Sequence, residues 1–389
     1  MKGHPILDRR HFLKHVALFG AATALPFRSL LADSPLTPKP MGDGLFVVRY
    51  GEEIRPASRT PRKITIPNAG EFQVLKGDFH MHTIYSDGAV QPVARVQEAV
   101  DNGLDVIAIT DHVESSGSRG LPKELDRNTS YNLAKPEAEK QKLILVQGTE
   151  ITKSEWHFNA LFIKDANPIG ACGDDWRKML AVSVEQGGFN HWNHPNWIDR
   201  TPDAAPFGLK TGEPMRFHDE IEDVRQKGLL HGVEVFNGIS HFPIALDWCN
   251  ERDLAPIANT DIHASDWNTY GHHNLLRPMT LILAKDRSYE SVREAFFAKR
   301  TVGWAANMIL GRQPWVEKLF LACVTMTAKS GILELVNKSD IPCLVQAGDA
   351  SHELPALGSI SVPRTDNLKK LTISNWLVGM NQPLEITLG

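Results

Sequence analysis

The sequence predicts an α/β protein in which a barrel of alternating strands and helices precedes a small all-β domain. Three observations lead to this prediction. Short apolar runs alternate with amphipathic stretches from about residue 73 to 311, and seven or more such repeats indicate a closed barrel of βα units. Nearly every apolar run ends in a residue type that binds metal ions. After about Pro314 the helical periodicity stops, and short strands separated by turns predict a sandwich-like domain.

Eight strands are predicted in the barrel region from short apolar runs. They are Val74–Phe79, Asp105–Thr110, Leu143–Gly148, Phe158–Ile163, Gly188–His191, Gly232–Phe236, Pro256–Thr260 and Met279–Leu283. The predicted helices are Gln91–Asn102, Trp176–Gln186, Met215–Lys227, Pro243–Glu251 and Ser288–Ala298. The predicted C-terminal strands are Leu319–Thr327, Ile332–Val336, Cys343–Ala347, Ser359–Val362, Leu371–Ser374 and Leu384–Leu388. Because active residues of α/β barrels lie at the C-terminal ends of the strands, we expect the functional residues there.

The composition is that of a soluble globular protein, with 42% apolar and 23% charged residues. Beyond the N-terminus, no stretch of the sequence is long and apolar enough to span a bilayer. We divide the chain into four segments. They are a signal segment at 1–32, an irregular leader at 33–72, the barrel at 73–313 and the β-rich C-terminal domain at 314–389.

The first segment resembles a twin-arginine export signal. Asp8-Arg9-Arg10-His11-Phe12-Leu13-Lys14 precedes a weakly apolar stretch from Val16 to Pro26, and Ala32 offers a small residue for cleavage. The alternative is a chance Arg-Arg pair in a basic helix. We therefore expect the twin-arginine translocase as a partner during export, and a periplasmic or otherwise exported mature protein.

The charge balance argues against a stable complex with nucleic acid. Removal of residues 1–32 takes away five basic residues and one acidic residue, so the formal charge changes from −4 to −8. The four cysteines lack a Cys-x-x-Cys spacing, which argues against a zinc knuckle. Cys323 and Cys343 lie on neighbouring predicted strands and could pair, although folding before export favours buried free thiols.

A metal site is indicated at the end of the first barrel strand, in the run from His80 to Gly88. His80 and His82 are one residue apart, and alternate side chains of a strand point to the same side, so both imidazoles can bind one ion. Asp87 follows in a Ser-Asp-Gly turn that can fold its carboxylate over the same site.

Other predicted strands end in the same residue types. Twelve of the sixteen histidines lie between His80 and His273. The candidate ligands that follow or open the later strands are His112, Glu150, His157, His194, Asp261 and His263. Each is weak evidence alone, but their order along one barrel is a strong signal.

These motifs resemble the polymerase and histidinol phosphatase (PHP) superfamily of metallohydrolases. The family hallmarks are His-x-His-Thr/Ser-x-x-Ser-Asp-Gly, Thr-Asp-His, Gly-x-Glu, His-Pro and a late Asp-x-His. They stand here at 80–88, 110–112, 148–150, 194–195 and 261–263. The resemblance covers about residues 76–311 and implies a distorted (β/α)7 barrel that binds two or three divalent ions.

The resemblance also implies three sets of metal ligands, with Glu150 shared between the first two. The first set is His80, His82, Glu150 and Asp261. The second set is Glu150, His157 and His194. The third set is Asp87, His112 and His263. Mixed imidazole and carboxylate ligation favours Mn, Zn or Fe over Ca or Mg.

The leading hypothesis is an exported phosphoesterase that acts on small phosphodiesters or phosphomonoesters. Metal ions about 3.5–4 Å apart generate a bridging hydroxide for attack on phosphorus and clamp the attacking and leaving oxygens. Asp87 favours this hypothesis, because the family branch with an aspartate there includes trinuclear phosphoesterases. The predicted catalytic residues are Glu150, Asp261 and His218, the last as proton donor to the leaving group. The candidates for binding substrate oxygens are Lys153, Arg177, Arg200 and Arg216.

Two other functions stay open. The stretches 149–152 and 157–161 also resemble a PHP branch that includes aryl carbamate hydrolases, which would make the protein a metal-dependent aryl ester or carbamate hydrolase. Alternatively, the β-rich C-terminal domain would make it an envelope-binding or carbohydrate-binding protein with a residual metal site. Cleavage of naphthyl esters but not phosphoesters distinguishes the first alternative, and a role that survives loss of His80 or Asp261 distinguishes the second.

Overall fold

The structure, a computed structural model, describes residues 40–41, 45–47, 62–114, 126–153, 156–195, 216–271 and 275–388. All of them belong to one unit of the chain, Pro38–Gly389. The predicted signal segment, 1–32, lies outside the described residues. In the part of the chain that is described, no helix is both long enough and apolar enough to cross a membrane.

The elements alternate between strand and helix as far as residue 311 and are mainly strands afterwards. The earlier strands are β1 (Pro40–Met41), β2 (Leu45–Val47), β3 (Gln73–Asp78), β4 (Val106–Ile109), β5 (Ile144–Lys153), β6 (Trp156–Leu161), β7 (Phe189–Trp192), β8 (Gly232–Asn237), β9 (Ser240–His241), β10 (Ala255–Asn259), β11 (Met279–Ala284), β12 (Thr301–Ala305) and β13 (Met308–Gly311). The later strands are β14 (Val324–Lys329), β15 (Ile332–Asn337), β16 (Cys343–Ala347), β17 (Ala350–Leu354), β18 (Ser359–Pro363), β19 (Lys370–Gly379) and β20 (Gln382–Thr387). The helices are α1 (Pro92–Asp101), α2 (Thr129–Gln141), α3 (Asn167–Gly170), α4 (Trp176–Glu185), α5 (Asp219–Gln226), α6 (Pro243–Glu251), α7 (Asp266–Thr269), α8 (Tyr289–Phe297) and α9 (Gln313–Cys323).

The barrel is built from the described strands β3, β4, β5, β6, β7, β8 and β10, in that order. Neighbouring strands are parallel, except that β6 is antiparallel to both β5 and β7. The ring closes just beyond β3 and β10, where Met81 and Ile262 form a parallel bridge and the N–H of His82 donates to the carbonyl of Ile262 at 3.1 Å. The predicted α/β barrel is therefore confirmed, and the reversed β6 is what distorts it.

The sheet of the barrel continues into the C-terminal region. β11 pairs antiparallel with β3, and the Thr280 hydroxyl joins it to β10 by accepting a hydrogen bond from the Ala258 N–H at 3.0 Å. β12 and β13 extend the antiparallel pairing. β13 then runs parallel to β19, with Ile309 opposite Trp376. Backbone pairing thus connects the barrel to the C-terminal strands.

The C-terminal region is β-rich, as predicted, but begins with a helix. β16, β17, β19 and β20 form antiparallel ladders, and β14, β15 and β18 form a separate three-stranded sheet. The predicted strand Leu319–Thr327 is wrong over its first half, because α9 extends to Cys323 and β14 begins only at Val324. Val316 and Phe320, four residues apart, are both buried, which is the periodicity of a helix.

Local sequence signals fix several helix starts in the barrel. α1 and α6 each have a proline, Pro92 or Pro243, at the first helical position, where its fixed φ suits the helix and no N–H is needed. Asp175 and Ser288 precede α4 and α8, and each side chain accepts a hydrogen bond from a backbone N–H of the first turn. These short boundaries place the strand ends close together at one end of the barrel.

An aromatic cluster packs around Phe79, next to His80. Phe79, directly before His80, contacts Phe296 of α8 edge-on, with ring centroids 4.6 Å apart. Phe296 also contacts Phe162 and Phe189 at 5.4 and 5.2 Å. All four phenylalanines are buried. Dense packing of this kind restricts the backbone that carries His80.

Candidate metal centre

The structure brings together all nine residues that the sequence predicts as metal ligands. They come from the ends of β3, β4, β5, β7 and β10 and from the start of β6. In four groups of these side chains, one ligand atom from each member lies within 4.8 Å of the others. The groups are His80–His82–Glu150, His80–His194–Asp261, Glu150–His157–His194 and His82–Asp87–His112–His263. Their assignment as ligands stays a prediction.

Glu150 lies between two of these groups. Its Oε2 atom is 3.6 Å from Nε2 of His80 and 3.3 Å from Nε2 of His82. Its Oε1 atom is 3.2 Å from Nδ1 of His157 and 3.8 Å from Nε2 of His194. Oε2 is also 2.9 Å from Nδ1 of His112. The two oxygens of one carboxylate therefore face different sets of imidazoles, which is the arrangement that a bridging carboxylate needs.

Asp261 completes the first group from the opposite side. Its Oδ1 atom lies 3.2 Å from Nε2 of His80 and 3.1 Å from Nε2 of His82. Its Oδ2 atom lies 3.8 Å from Nε2 of His194. Asp261 therefore faces the same imidazole nitrogens of His80 and His82 as Glu150 does.

Asp87 is the centre of a third group nearer the surface. Its Oδ1 atom lies 3.1 Å from Nε2 of His263, 3.4 Å from Nε2 of His112 and 3.5 Å from Nδ1 of His82. The side chain of Asp87 is about half exposed, whereas that of His82 is fully buried. The third group therefore opens towards solvent, and His82 joins it to the first.

The donor atoms fit divalent metal ions. Nε2 of His80 and Nε2 of His82 are buried and form no well-directed hydrogen bond within the described residues, although carboxylate oxygens of Glu150 and Asp261 lie 3.1–3.6 Å away. Buried polar atoms without partners are costly unless a ligand satisfies them. Ligand atoms lie about 2.0–2.2 Å from a zinc ion, so atoms that share one ion are about 3–3.5 Å apart. Most of the separations here are of that size.

The charges of the cluster also suit cations. Burial by itself would lower the pKa of His80, but the surrounding carboxylates, led by Asp261, raise that pKa well above its usual range. Burial would raise the pKa of Glu150, yet His112 and His80 bring it well below its usual range. The carboxylates are therefore ionised at neutral pH, which is the form that binds metal.

Two of the predicted ligands have a strained backbone. His194 has φ of 25° and Asp261 has φ of 53°, in a region that non-glycine residues rarely adopt. The N–H of His194 donates to Oε2 of Glu234 at 2.7 Å, and the N–H of Asp261 donates to the His80 carbonyl at 2.9 Å. Strain of about 1–3 kcal/mol per residue persists only where the surroundings enforce it, and it is common at functional sites.

Glu234 is a functional residue that the sequence reasoning missed. It lies on β8, is fully buried, and its Oε1 atom is 2.9 Å from Nδ1 of His80. The side-chain amides of Asn237 and Asn259 donate to its two oxygens at 2.8 and 2.9 Å. A carboxylate on the second nitrogen of a ligand histidine fixes the ring orientation and its tautomer. The signal that could have revealed it is a glutamate inside an apolar strand, because glutamate is rarely buried without a partner.

Arg95 is a second residue that the sequence reasoning missed. The arginine is fully buried on α1, and its charge is paired with Glu98 at 2.6 Å. Its guanidinium donates to four backbone carbonyls at 2.9–3.0 Å, those of His82, Ile262, His263 and Ala264. It therefore ties the segment after β3 to the segment after β10, each of which carries predicted ligands. Nothing in the helical pattern of α1 distinguishes this arginine from a solvated one.

Asp111 stabilises the turn that presents Asp87. Its Oδ1 atom accepts hydrogen bonds from the N–H of Thr83 and the hydroxyl of Ser86, both at 2.6 Å. Its Oδ2 atom accepts from the Thr83 hydroxyl at 2.6 Å. The Thr-Asp-His motif thus supplies one predicted ligand, His112, and one residue that shapes the loop of another.

The remaining predicted site residues lie elsewhere around the barrel. The His218 ring packs edge-on against Trp156 and Trp192, with centroids 5.1 and 6.4 Å away. Lys153 is the last residue of β5 rather than part of a loop, and its Nζ atom is 2.9 Å from Asp174. The role of His218 as proton donor and the role of Lys153 as substrate ligand stay predictions.

The other predicted substrate-binding residues are arginines. Arg177, on α4, stacks over the Trp176 ring at 4.1 Å and lies 3.9 Å from Asp223. Arg216 is exposed just before α5. Arg200 lies outside the described residues. Arg177 and Arg216 likewise stay predictions.

Known proteins resemble this chain in sequence and in fold. Residues 78–189 match the PHP domain family. An uncharacterized protein of Methanocaldococcus jannaschii is 26% identical over 204 residues, which cover 49% of this chain and 83% of that protein. The crystal structure of a two-domain protein containing a predicted PHP-like metal-dependent phosphoesterase from Bacteroides vulgatus is 29% identical, with a TM-score of 0.76. That similarity covers 85% of this chain and 99% of the Bacteroides chain. The protein therefore contains a PHP domain, whose histidine and carboxylate clusters suit divalent metal ions, within a fold like that of the Bacteroides protein.

Proposed function

We propose that this protein is a metal-dependent phosphoesterase that hydrolyses small phosphodiesters or phosphomonoesters. The observation that carries the proposal is the position of Glu150, whose two carboxylate oxygens face separate imidazole groups. A site of this kind holds two ions close enough to act on one substrate group. The group around Asp87 adds a third position, which favours a substrate with several charged oxygens.

Divalent ions held here, Mn, Zn or Fe, would supply an acidified water and positive charge for the phosphate oxygens. The protein side chains hold and orient these ions. Glu150 and Asp261 bring negative charge to the buried histidines, and Glu234 fixes the ring of His80. His218 would protonate the leaving group from the Trp156–Trp192 side of the site. Lys153, Arg177, Arg200 and Arg216 would bind the remaining substrate oxygens.

We further propose that the protein acts outside the cytoplasm. The twin-arginine-like segment at 8–14 supports export of a folded chain, which is how a protein carrying a multinuclear metal site would be moved intact. Fusion of residues 1–40 to a reporter tests this proposal. Export should stop when Arg9 and Arg10 are both changed to lysine. Retention of the unchanged fusion in the cytoplasm would contradict export, and unchanged export of the double-lysine variant would contradict the twin-arginine route.

A substrate panel tests the proposed reaction. Protein of measured Mn or Zn content should hydrolyse 4-nitrophenyl phosphate or bis(4-nitrophenyl) phosphate, and Glu150→Gln should lower kcat/KM by at least a thousandfold. The matched control is Glu385→Gln, a half-exposed glutamate on β20 that pairs with Lys370 and should keep full activity.

The same panel includes 1-naphthyl acetate and 1-naphthyl methylcarbamate. Cleavage of these esters without cleavage of either phosphoester would replace the proposal with an aryl ester or carbamate hydrolase. Absence of every activity in protein with bound metal would leave the binding-protein alternative.

A further inference from the structure

A cleft lies beside the third group of predicted ligands and is separate from the nine ligand side chains except at His112. The space between its walls, open solvent included, is about 320 Å³. The described residues that line it are Tyr85, Asp111, His112, Val113, Asp126, Arg127, Thr129, Ser130 and Thr149. Tyr85, next to the Asp87 turn, therefore forms one wall. Another wall lies at the start of α2, where Arg127 carries a guanidinium group and Thr129 and Ser130 carry hydroxyls.

Arg127 is held rigidly in this cleft. Its Nε atom donates to the Val113 carbonyl at 2.8 Å, and its backbone N–H donates to Oδ1 of Asn167 at 3.1 Å. The guanidinium also lies directly on Gly170, where an added Cβ would come within 2.0 Å of Nε and 2.6 Å of Cζ. Only glycine at this position leaves room for the arginine. Three separate contacts thus fix the Arg127 side chain in the cleft that His112 also lines.

The terminal nitrogens of Arg127 have no partner among the residues that the structure describes. Neither Nη atom makes a hydrogen bond or an ion pair with any residue in the described ranges. The two carboxylates of the cleft are already engaged. Asp111 accepts from Thr83 and Ser86, and Oδ1 of Asp126 accepts from the side chains of Asn128 and Asn167 at 2.8 and 2.6 Å. The Nη donors of Arg127 are therefore oriented and unpaired among the described residues, while Asp111 and Asp126 keep their negative charges in the same cleft.

A fixed guanidinium offers a planar fork of donors that matches the oxygens of a phosphate or carboxylate group. The scissile phosphoester would have its own cationic partners, the metal ions held by the predicted ligand groups. Arg127 lines the same cleft as His112, whereas Glu150 is not among the residues that line it. A second negative group on the substrate would meet Arg127 while the scissile group occupies the metal centre.

We infer that this cleft binds a second anionic group of the substrate, a phosphate or a carboxylate, through Arg127. The inference rests on the proposed phosphoesterase function and deepens it, since it selects substrates with two anionic groups over those with one. Tyr85 and the hydroxyls of Thr129 and Ser130 complete the walls against which that group lies.

Matched alkyl phosphates test the inference. The substrates are the monophosphates and bisphosphates of ethane-, propane- and butanediol, with release of inorganic phosphate as the readout. For at least one chain length, wild-type kcat/KM should be at least tenfold higher for the bisphosphate. Arg127→Met should remove this preference while leaving monophosphate hydrolysis within a factor of three.

Two further variants separate a local effect from misfolding. Gly170→Ala keeps the arginine but displaces its guanidinium, so it should lose the preference as well. Arg312→Met removes an arginine that pairs with Asp253 outside the cleft, and it should keep the preference.

The possible outcomes are distinguishable. Equal kcat/KM for mono- and bisphosphates in the wild type, or an equal loss for both in Arg127→Met, would overturn the second-anion site while leaving the phosphoesterase proposal intact. Hydrolysis of neither substrate class by metal-loaded wild-type protein would overturn the proposed function and this inference with it.

Discussion

Glu234 and His80 form a fully buried pair in which a carboxylate oxygen lies 2.9 Å from the ring nitrogen that faces away from the metal ligand groups. The other carboxylate oxygen accepts the N–H of His194 at 2.7 Å. One glutamate on β8 therefore orients a side chain of the first group and the strained backbone of the second. The predicted metal ligands and the residue that positions them are coupled through this pair.

Replacement of Glu234 by glutamine should weaken metal binding. Loss of a carboxylate behind a ligand histidine lowers metal affinity by about 10–100-fold, because the ring loses its fixed orientation. Equilibrium dialysis of Mn²⁺ with wild-type and Glu234→Gln protein measures this effect, with Glu385→Gln as a surface control. Unchanged affinity in Glu234→Gln would show that Glu234 has only a packing role.

Replacement of Arg95 by lysine should affect the third ligand group more than the first. Lysine keeps the positive charge beside Glu98 but cannot donate to the carbonyls of both His82 and His263 at once. We expect about one fewer Mn²⁺ ion per chain at a free concentration that saturates the wild type. Arg95→Met is the harsher variant, since it leaves the partly buried Glu98 without its ion-pair partner. Full ion content in Arg95→Lys would contradict the proposed positioning role.

Stability should fall between pH 7 and pH 5 partly because of His231. Burial lowers the pKa of His231 to about 4, and Nδ1 of the ring accepts a hydrogen bond from the N–H of Asn190 at 3.0 Å. The folded-state pKa is below the unfolded value of about 6.5, so this contribution is complete above pH 6.5 and is lost as the pH falls towards 4.

The His231→Gln variant isolates this contribution. Between pH 7 and pH 5 the free energy of unfolding should fall by about 2 kcal/mol more in the wild type than in the variant. Urea unfolding at both pH values measures the difference. Parallel losses in the two proteins would mean that His231 is protonated as readily in the folded state as in the unfolded chain.

Removal of the Trp376 ring should destabilise the barrel as well as the C-terminal region. Trp376 is fully buried on β19, opposite Ile309 of β13 and 5.5 Å from the Phe320 ring. A change to alanine should cost about 3–5 kcal/mol. Because β13 and β19 share a sheet, calorimetry should show one unfolding transition at a lower Tm.

Trp267→Ala is the control for this variant, because that ring is 53% exposed. It should change the free energy of unfolding by less than about 0.5 kcal/mol. Two separate transitions in Trp376→Ala, with the barrel transition unmoved, would favour an independent C-terminal domain starting near residue 314.

The sequence predicted the barrel well because each strand is a local apolar run between turn signals. All eight predicted barrel strands are present, and the helix Pro243–Glu251 has the predicted bounds. α2 was missed because it is mostly polar, contains Pro136, and buries only Ser130, Ala134 and Ala138. β5 extends five residues further than predicted, to Lys153, because it forms a hairpin with β6. That pairing depends on a partner strand rather than on local preference.

The residues of the candidate site likewise divide into those that local sequence predicts and those that depend on tertiary contacts. The motifs name nine ligand candidates because metal-binding residue types follow the strands, and their convergence needs only a barrel. Glu234 and Arg95 act through partners 154 and 169 residues away, His80 and Ala264, so the local pattern shows at most a glutamate inside an apolar strand and not what either residue contacts. Arg127 depends on the space left by Gly170, which is likewise a tertiary relationship.

The number of Mn²⁺ ions bound per chain in wild-type and Glu150→Gln protein tests the central claim most directly. After equilibrium dialysis, metal analysis by mass spectrometry should give two or three ions for the wild type. The variant should retain at most one, in the group around Asp87, because Glu150 belongs to both of the other sets. Equal ion numbers in the two proteins, or no bound ion in the wild type, would contradict the shared metal centre proposed here.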